Sequence, residues 1–158
     1  MRESIVIDGL TKYYNGFLAL DNLSLKIKNK EDVALLGPNG AGKTTTLKLV
    51  CGLIRPSSGA VYIGGTNVFE EREKAISKLG VLIETPEFYP FLTPRETLSY
   101  LGRLRGMGEE KLEDRIEEVL ELVRLEKWTD VKIEKFSRGM KQRLALAQAL
   151  LHLSLIHI

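Results

Sequence analysis

The chain has 158 residues, of which 44% are hydrophobic and 28% charged, the usual composition of a globular protein with a buried core. Its formal net charge of +2 is too small to indicate a nucleic-acid partner. No stretch approaches the roughly 18 consecutive apolar residues of a membrane helix, and Cys51 is alone, which excludes an internal disulfide and favours a reducing cytosol.

The first predicted elements are strands. Residues 4–7 form a short apolar run, and residues 23–28 alternate apolar and polar side chains with a period of two, which is typical of a strand with one polar face. Residues 33–36 are continuously apolar and predict a buried parallel strand.

A glycine-rich loop follows, with the spacing G-x-x-x-x-G-K-T: Gly37-Pro38-Asn39-Gly40-Ala41-Gly42-Lys43-Thr44-Thr45. Its glycines allow successive backbone N–H groups to point at a phosphate. Lys43 is suited to the β- and γ-phosphates, and the Thr44 hydroxyl to Mg²⁺. Residues 44–50 predict a helix whose N-terminus adds its dipole to the site. The loop therefore predicts binding of a nucleoside triphosphate.

The sheet continues after this helix. Residues 60–63 end at Gly64-Gly65, which is typical of a hairpin turn into residues 66–68. Residues 78–83 predict one more strand.

The second half is predicted to be helical. Residues 95–105 place Leu98, Leu101 and Leu104 on one side, and a second apolar stripe runs from Leu112 to Val123 at helical spacing. The acidic residues off this stripe predict a solvated face rather than a metal site. Ser137 is suited to cap a last helix over residues 140–151, whose free N–H groups offer a second anion-binding end.

Two phosphate-binding elements with helices between them resemble a subunit of the ATP-binding cassette (ABC) family, over about residues 5–152. The resemblance implies an α/β fold: a P-loop NTPase core of the RecA-like type, an N-terminal antiparallel β subdomain, and an inserted helical subdomain over about residues 94–135. Residues 1–158 are then one nucleotide-binding domain, incomplete at its C-terminus. The ligands that the family implies are ATP and Mg²⁺.

Two further motifs carry the resemblance. Leu10-Thr11-Lys12-Tyr13-Tyr14 is similar to the family's opening stretch, in which an aromatic ring stacks on adenine, and the spacing gives that place to Tyr14. Phe136-Ser137-Arg138-Gly139-Met140-Lys141-Gln142-Arg143 resembles the family signature, with Arg138 and Met140 in place of Gly and Gln. By this resemblance, Ser137 and Gly139 act on the γ-phosphate held by a partner, across a head-to-tail homodimer or heterodimer.

Residues 80–93 resemble the segment that couples nucleotide to transporter. Glu84 stands where the family usually has Gln, close to Mg²⁺ and the attacking water, and a carboxylate is a suitable oxygen ligand for the metal. The segment around Glu84–Thr93 is expected to contact a membrane permease. Its sequence is similar to that of the bacitracin and antimicrobial-peptide exporter branch.

The family's catalytic strand, which ends in Asp-Glu, and its switch histidine are missing, because no acidic residue follows Glu134 and His157 lies in an apolar tail. From Leu153 onward the sequence also departs from the family. We expect a truncated subunit: the full-length protein hydrolyses ATP, whereas these 158 residues bind it weakly and turn it over very slowly.

The resemblance implies an energy-coupling ATPase of an exporter, in the cytoplasm and peripheral on the inner face of the membrane, with no nucleic-acid partner. Two alternatives stay open at this point. One is a soluble ABC ATPase that acts on ribosomes or DNA, and the other is a nucleotide-binding fragment without catalysis.

Overall fold

The computed structural model describes residues 3–83 and 87–152. These residues divide into two compact units, the first ending at Leu79 and the second beginning at Gly80. The strands are β1 (Glu3–Tyr14), β2 (Phe17–Lys28), β3 (Ser58–Ile63) and β4 (Thr66–Asn67). The α-helices are α1 (Lys43–Val50), α2 (Arg72–Ile76), α3 (Pro94–Leu104), α4 (Glu109–Leu122) and α5 (Arg138–Leu150). Two 3₁₀ turns, Glu126–Trp128 and Ile133–Lys135, lie between α4 and α5.

The first unit contains an antiparallel sheet with the strand order β2-β1-β3-β4. Strands β1 and β2 are joined by Asn15-Gly16, which have φ angles of 46° and 85°. Positive φ at both central residues is what a tight type I′ hairpin requires, and Asn-Gly is its usual sequence. The hairpin at Gly64-Gly65, which the sequence predicted, also has positive φ at both positions.

The core of this unit lies under one face of the sheet. On β2 the apolar residues Leu23, Leu25 and Ile27 are half-buried and alternate with exposed neighbours, which confirms the predicted period of two. The buried core residues of the unit are Ile7, Leu10, Leu49, Val61, Ile63, Val68 and Ala75. Because Leu49 lies on α1, this core fixes the helix that follows the glycine-rich loop.

Two predicted strands are wrong. Residues 33–36 lie in irregular chain, with Leu36 87% exposed, and residues 78–83 form a turn followed by irregular chain. A parallel strand is stabilised by hydrogen bonds to neighbours that are distant in sequence. Within the described part of the chain, every strand pair is antiparallel and none includes these segments. Apolar composition alone was therefore insufficient to predict a strand.

The second unit is helical, as predicted. Helix α3 begins at a capping box, in which Thr93 accepts from the Glu96 amide and Glu96 accepts from the Thr93 amide. Leu98 is buried, but Leu104 is 67% exposed, so the predicted stripe on α3 stops short of its last turn. None of the helices over the described residues is long and apolar enough to cross a membrane.

Helices α4 and α5 pack antiparallel around the core of this unit. The apolar stripe predicted on α4 is buried throughout. The buried cluster comprises Leu98, Leu112, Ile116, Val119, Leu120, Val123, Leu125, Ile133, Phe136, Leu144, Ala147 and Leu151. Trp128 packs edge-on against Phe136, with ring centroids 6.4 Å apart. The core thereby reaches the residue directly before Ser137.

An arginine in the middle of each of α4 and α5 bonds to the end of the other helix. Arg115 on α4 donates to the carbonyls of Leu150 and Leu151, at 2.8 and 3.1 Å, where α5 ends. Arg143 on α5 donates to the carbonyl of Arg124, at 3.0 Å, where α4 ends. Because the last carbonyls of a helix lack partners within the helix, each guanidinium stabilises the end of the opposite helix.

The acidic face of α4 is exposed, as predicted, and part of it is paired. Arg95 on α3 forms an ion pair with Glu113 and a second with Asp130, at 3.3 Å. No group of three or more Asp, Glu, His or Cys side chains in the described ranges is arranged to hold a metal ion. The exposure of the acidic side chains on α4 agrees with the prediction of a solvated face.

Candidate functional site

The glycine-rich loop is shaped by two left-handed residues. Gly40 and Gly42 both have φ of 82°, a conformation that L-residues with a side chain adopt at a cost. The Ala41 amide donates to the Pro38 carbonyl at 3.2 Å, and this bond closes the turn between them. All residues from 31 to 40 are exposed, so the backbone of the loop is open to a ligand.

Gly42 is also required by close packing. A Cβ atom at this position would lie 2.7 Å from the Ala19 carbonyl oxygen on β2. Gly40 has no atom within 4 Å of the corresponding point. The third glycine of the loop therefore lets the start of α1 approach the β1–β2 hairpin, whereas Gly40 is needed for its backbone conformation alone.

The Lys43 side chain turns back to the beginning of the loop. Its Nζ atom donates to the carbonyls of Gly37 and Pro38, with both distances 2.7 Å. An ammonium group has three N–H donors, so these two bonds orient the group and leave a third donor.

Helix α1 begins directly in the loop, with Gly42 as its N-cap. Its first backbone bond runs from the Thr46 amide to the Gly42 carbonyl, at 2.8 Å. The amides of Lys43, Thr44 and Thr45 precede this bond and therefore lack a partner four residues earlier within the helix. Thr44 is exposed. The loop thus combines a cation, unpaired first-turn amides and the positive end of a helix, which is the arrangement that binds phosphates.

Tyr14 lies at the end of β1, next to the tight hairpin. Tyr14 is 43% exposed, its neighbour Tyr13 48%, and Phe17 across the hairpin 70%. Phe17 is two residues before Ala19, the residue against which Gly42 packs. Exposed aromatic rings therefore lie on the same hairpin that contacts the phosphate-binding loop.

Ser137 is the N-cap of α5, as the sequence predicted. Its Oγ atom accepts from the Met140 amide at 3.2 Å, and Arg138 and Gly139 are exposed in the first turn. Gly139 has an ordinary negative φ, and the nearest atom to an added Cβ would be Ser137 Oγ at 4.0 Å. The local fold therefore gives no reason for glycine at this position.

The remaining site residues are placed as follows. Glu84 and the apolar tail from Leu153 lie outside the described residues. Lys43 and Tyr14 belong to the first unit, and Ser137 and Gly139 belong to the second.

Two pKa shifts lie near these elements. Burial raises the pKa of the Cys51 thiol directly after α1, which favours its protonated form. The hydrogen bond from Arg103 lowers the pKa of Glu109 at the start of α4.

Sequence reasoning missed two features of the candidate site. The Asn15-Gly16 dipeptide between aromatic residues was a signal for the hairpin that carries Tyr14. The motif Leu10-Thr11-Lys12-Tyr13-Tyr14 predicts no role for Lys12, although the Lys12 side chain contacts the Tyr14 ring. A cation two residues from an exposed aromatic ring on a strand was the available signal.

Comparisons with known proteins agree with this geometry. The family model described as ABC transporter matches residues 20–158. The uncharacterized ABC transporter ATP-binding protein YxlF of Bacillus subtilis is 44% identical over 92% of this chain and 48% of its own length. The bacitracin transport ATP-binding protein BcrA of Bacillus licheniformis is 42% identical over 96% of this chain and 49% of its own length.

Solved structures are similar as well. The structure of an ATP-binding subunit of an ABC transporter is 32% identical, with a TM-score of 0.81 over 94% of this chain and 62% of that one. For cbiO1 of Clostridium perfringens, part of the complex cbiONQ, the TM-score is 0.85 at 23% identity, over 96% of this chain and 62% of that one, which shows the fold alone.

The chain spans about half the length of the curated relatives that it matches. The family match nonetheless covers most of the sequence, including the glycine-rich loop and the α5 start. This chain belongs to the ABC transporter family.

Proposed function

We propose that the chain binds ATP with Mg²⁺ at residues 37–45, and that it is the energy-coupling ATPase part of an ABC exporter. The observation that carries the proposal is the geometry of the loop. Two left-handed glycines, Gly40 and Gly42, open the backbone, and Lys43 extends its ammonium along the loop. The exposure of this backbone supports direct contact with the phosphates.

Lys43 would bind the β- and γ-phosphates without leaving the loop. Its two bonds to backbone carbonyls hold the ammonium in place, and its third donor would remain for an incoming phosphate oxygen. Hydrogen bonds between two charged groups are the stronger kind, because the charge assists them. The unpaired amides of α1 would bind the remaining phosphate oxygens.

We propose that Tyr14 stacks on the adenine. Its exposed ring lies on the hairpin against which the loop packs through Gly42, which supports one nucleotide spanning both. Stacking of an aromatic ring on a base contributes about 1–3 kcal/mol. Tyr13, which is similarly exposed, is the alternative if Tyr14→Ala leaves ATP affinity unchanged.

Mg²⁺ fits the donors of the first unit if it arrives with the nucleotide. The exposed Thr44 hydroxyl offers one hard oxygen, and Mg²⁺ in nucleotide sites takes most of its ligands from phosphates and water. Glu84 is the proposed carboxylate near the metal and the attacking water. When bound, the ion would neutralise charge on the phosphates.

Ser137 and Gly139 are proposed to contact the γ-phosphate of a partner subunit in a head-to-tail dimer. Glycine within a helix costs about 1 kcal/mol relative to alanine, and neither backbone conformation nor packing requires it at position 139. An open position beside the Ser137 hydroxyl and the first amides of α5 supports the approach of a ligand from outside the chain.

The proposed partner is a membrane permease, contacted through the segment that includes Tyr89 and Phe91. These rings are 62% and 61% exposed and lie 5.7 Å apart, which is consistent with an apolar contact surface. The protein would then lie on the cytoplasmic face of the membrane.

We infer export, and a peptide antibiotic as the substrate class, from similarity to a relative named for bacitracin transport. Residues 94–135 would form the helical subdomain of the nucleotide-binding domain.

Calorimetric titration of the 158-residue chain with ATP and Mg²⁺ tests the nucleotide site. We expect saturable one-site binding that inorganic tripolyphosphate competes away. A folded chain that binds no nucleoside triphosphate would contradict the proposal.

A separate pull-down tests the transporter role. The bait is the protein extended to the length of its relatives. The prey is the proposed permease, a protein with about six membrane helices that is encoded by a neighbouring gene. Tyr89→Ser with Phe91→Ser should weaken capture, whereas Leu122→Ser, which alters a similarly exposed apolar residue, should not.

A further inference from the structure

Lys12 contacts the ring that we propose to stack on adenine. Its Nζ atom lies 5.0 Å from the centroid of the Tyr14 ring. The same ammonium donates a 2.7 Å hydrogen bond to the Arg55 carbonyl. A cation within about 6 Å of an aromatic face is attracted by the negative charge of that face. One face of the Tyr14 ring is therefore covered by a cation whose own position is fixed by the backbone.

The Arg55 carbonyl is held firmly enough to serve as an anchor. It belongs to the turn that follows α1, and Ser57 attaches this turn to β1 in two ways. The Ser57 amide donates to the Thr11 carbonyl at 2.9 Å, and its Oγ atom accepts from the Tyr13 amide, also at 2.9 Å. The residues on either side of Lys12 are thus bonded to the turn that Lys12 itself reaches.

We propose that Lys12 is a positioning residue for the nucleotide base. It holds the Tyr14 ring through one face, so that the other face is presented to the adenine. The inference rests on the proposed function, because it assumes that Tyr14 stacks on the base. Tyr14 remains 43% exposed with the Lys12 ammonium in place, which leaves surface for a second stacked group.

The physical benefit is preorganisation. A tyrosine at the end of a hairpin samples several side-chain conformations, and fixing one of them on binding has an entropic cost. The anchored ammonium fixes the ring before the nucleotide arrives. This effect acts through the base alone and makes no contribution to phosphate binding.

That difference defines the experiment. ATP and inorganic tripolyphosphate are titrated calorimetrically into the wild-type chain, Lys12→Met and Lys12→Arg. We expect Lys12→Met to weaken ATP binding about three- to fivefold, while tripolyphosphate affinity stays within about 1.5-fold of the wild type. Lys12→Arg keeps a cation over the ring and should restore ATP binding.

A second variant separates the cation from the hydrogen bond. Lys12→Gln keeps a donor for the Arg55 carbonyl but removes the charge, so it should weaken ATP binding as Lys12→Met does. Lys12→Gln also replaces Lys12→Met in this experiment if circular dichroism shows that Lys12→Met does not fold. In a Tyr14→Leu background, Lys12→Met should have no further effect on ATP binding.

Four results would overturn the role of Lys12 alone. The first is unchanged ATP affinity in Lys12→Met, and the second is an equal loss of ATP and tripolyphosphate affinity in that variant. The third is a failure of Lys12→Arg to restore ATP affinity, and the fourth is an undiminished effect of Lys12→Met on ATP affinity in the Tyr14→Leu background. A wild-type chain that binds neither ligand would instead overturn the proposed function. A wild-type chain that binds ATP, with Tyr14→Leu unchanged, would exclude Tyr14 as the stacking residue and with it the role of Lys12.

Discussion

At the scale of single residues, glycine is required in the loop for two different reasons, a left-handed backbone conformation and close packing. Gly40 and Gly42 share the same left-handed φ, but only the Gly42 position is also crowded, by the Ala19 carbonyl. Lys43 adds the positive charge and is held by carbonyls at the beginning of the loop. Backbone shape and charge can therefore be tested by different substitutions.

Lys43→Ala should remove most of the ATP affinity. The substitution deletes the cation that offsets the phosphate charge, and we expect a loss of at least tenfold. Calorimetric titration with ATP measures the effect. Lys111→Ala, which removes an exposed lysine on α4, is the control and should leave affinity unchanged. Wild-type affinity in a folded Lys43→Ala chain would refute the site.

Gly42→Ala should be more harmful than Gly40→Ala. Both substitutions force a side chain into the left-handed region, at about 1–2 kcal/mol each, but an added methyl group at position 42 would also overlap the Ala19 carbonyl. Urea unfolding and ATP titration of the two variants provide the comparison. Equal losses of stability would mean that backbone conformation is the whole effect.

The loop could be predicted from sequence because its spacing is local and specific. The hydrogen bonds within the loop could not be predicted, because they depend on where the chain folds back. The sequence pattern indicated phosphate as the partner of Lys43 and did not indicate the Gly37 and Pro38 carbonyls. The anchor of Lys12 could not be predicted for a related reason, because its hydrogen bond to the Arg55 carbonyl joins residues 43 positions apart.

At the scale of elements, α4 and α5 are each stabilised at the end by an arginine from the middle of the other helix. Arg115 is 11% exposed at its side chain and donates to the end of α5, and Arg143 donates to the end of α4. Helix α4 itself ends with Arg124 at φ of 58°, and the Leu125 amide bonds back to the Leu120 carbonyl at 2.8 Å. This is the left-handed helix end that usually carries glycine.

Arg115→Ala should destabilise the chain by about 2–3 kcal/mol. The change removes the charged donors that bond to the Leu150 and Leu151 carbonyls at the end of α5. Urea unfolding followed by circular dichroism measures the loss. Arg105→Ala, which alters an exposed arginine just after α3, should change stability by less than about 0.5 kcal/mol. Similar effects from both variants would argue against a stabilising role of the bonds from Arg115 to the end of α5.

Arg124→Gly should stabilise the chain by about 0.5–1 kcal/mol. Glycine adopts the left-handed conformation without strain, and the Arg124 carbonyl that accepts from Arg143 belongs to the backbone and is retained. The same urea experiment tests it. A loss of stability would show that the exposed Arg124 side chain makes a contribution of its own.

Helices were predicted better than strands because their signal is local. Leu112, Ile116 and Val119 face one way in any helix that contains them, and all three are buried. The segments at 33–36 and 78–83 carried an equally apolar pattern, but a parallel strand also needs neighbours from distant sequence. In the described part of the chain no such pairing includes them.

At the scale of the whole molecule, the proposed chemistry is divided between the units. The first carries the loop and Tyr14, and the second carries Ser137 and Gly139. If the family geometry holds, Ser137 acts on a nucleotide bound by a partner subunit, so that binding and hydrolysis should respond differently to substitution.

Ser137→Arg should abolish hydrolysis and spare binding. In the protein extended to the length of its relatives, the new cation would replace the hydroxyl that caps α5 and obstruct the γ-phosphate contact. We expect near-wild-type ATP affinity, a monomer by size-exclusion chromatography with ATP, and phosphate release near background. Leu146→Arg adds the same charge farther along α5, at an exposed position, and should dimerise and hydrolyse normally. Normal turnover by Ser137→Arg would refute action across a dimer.

The packing of Trp128 against Phe136 has an optical consequence. The sequence contains one tryptophan and five tyrosines, so light that tyrosine does not absorb excites Trp128 alone. Its indole ring lies against the residue that precedes Ser137 and is 42% exposed. The emission wavelength therefore reports solvent access in the second unit, without an attached dye and without a contribution from the first. Fluorescence during nucleotide titration and unfolding thus provides a spectroscopic record specific to that half of the protein.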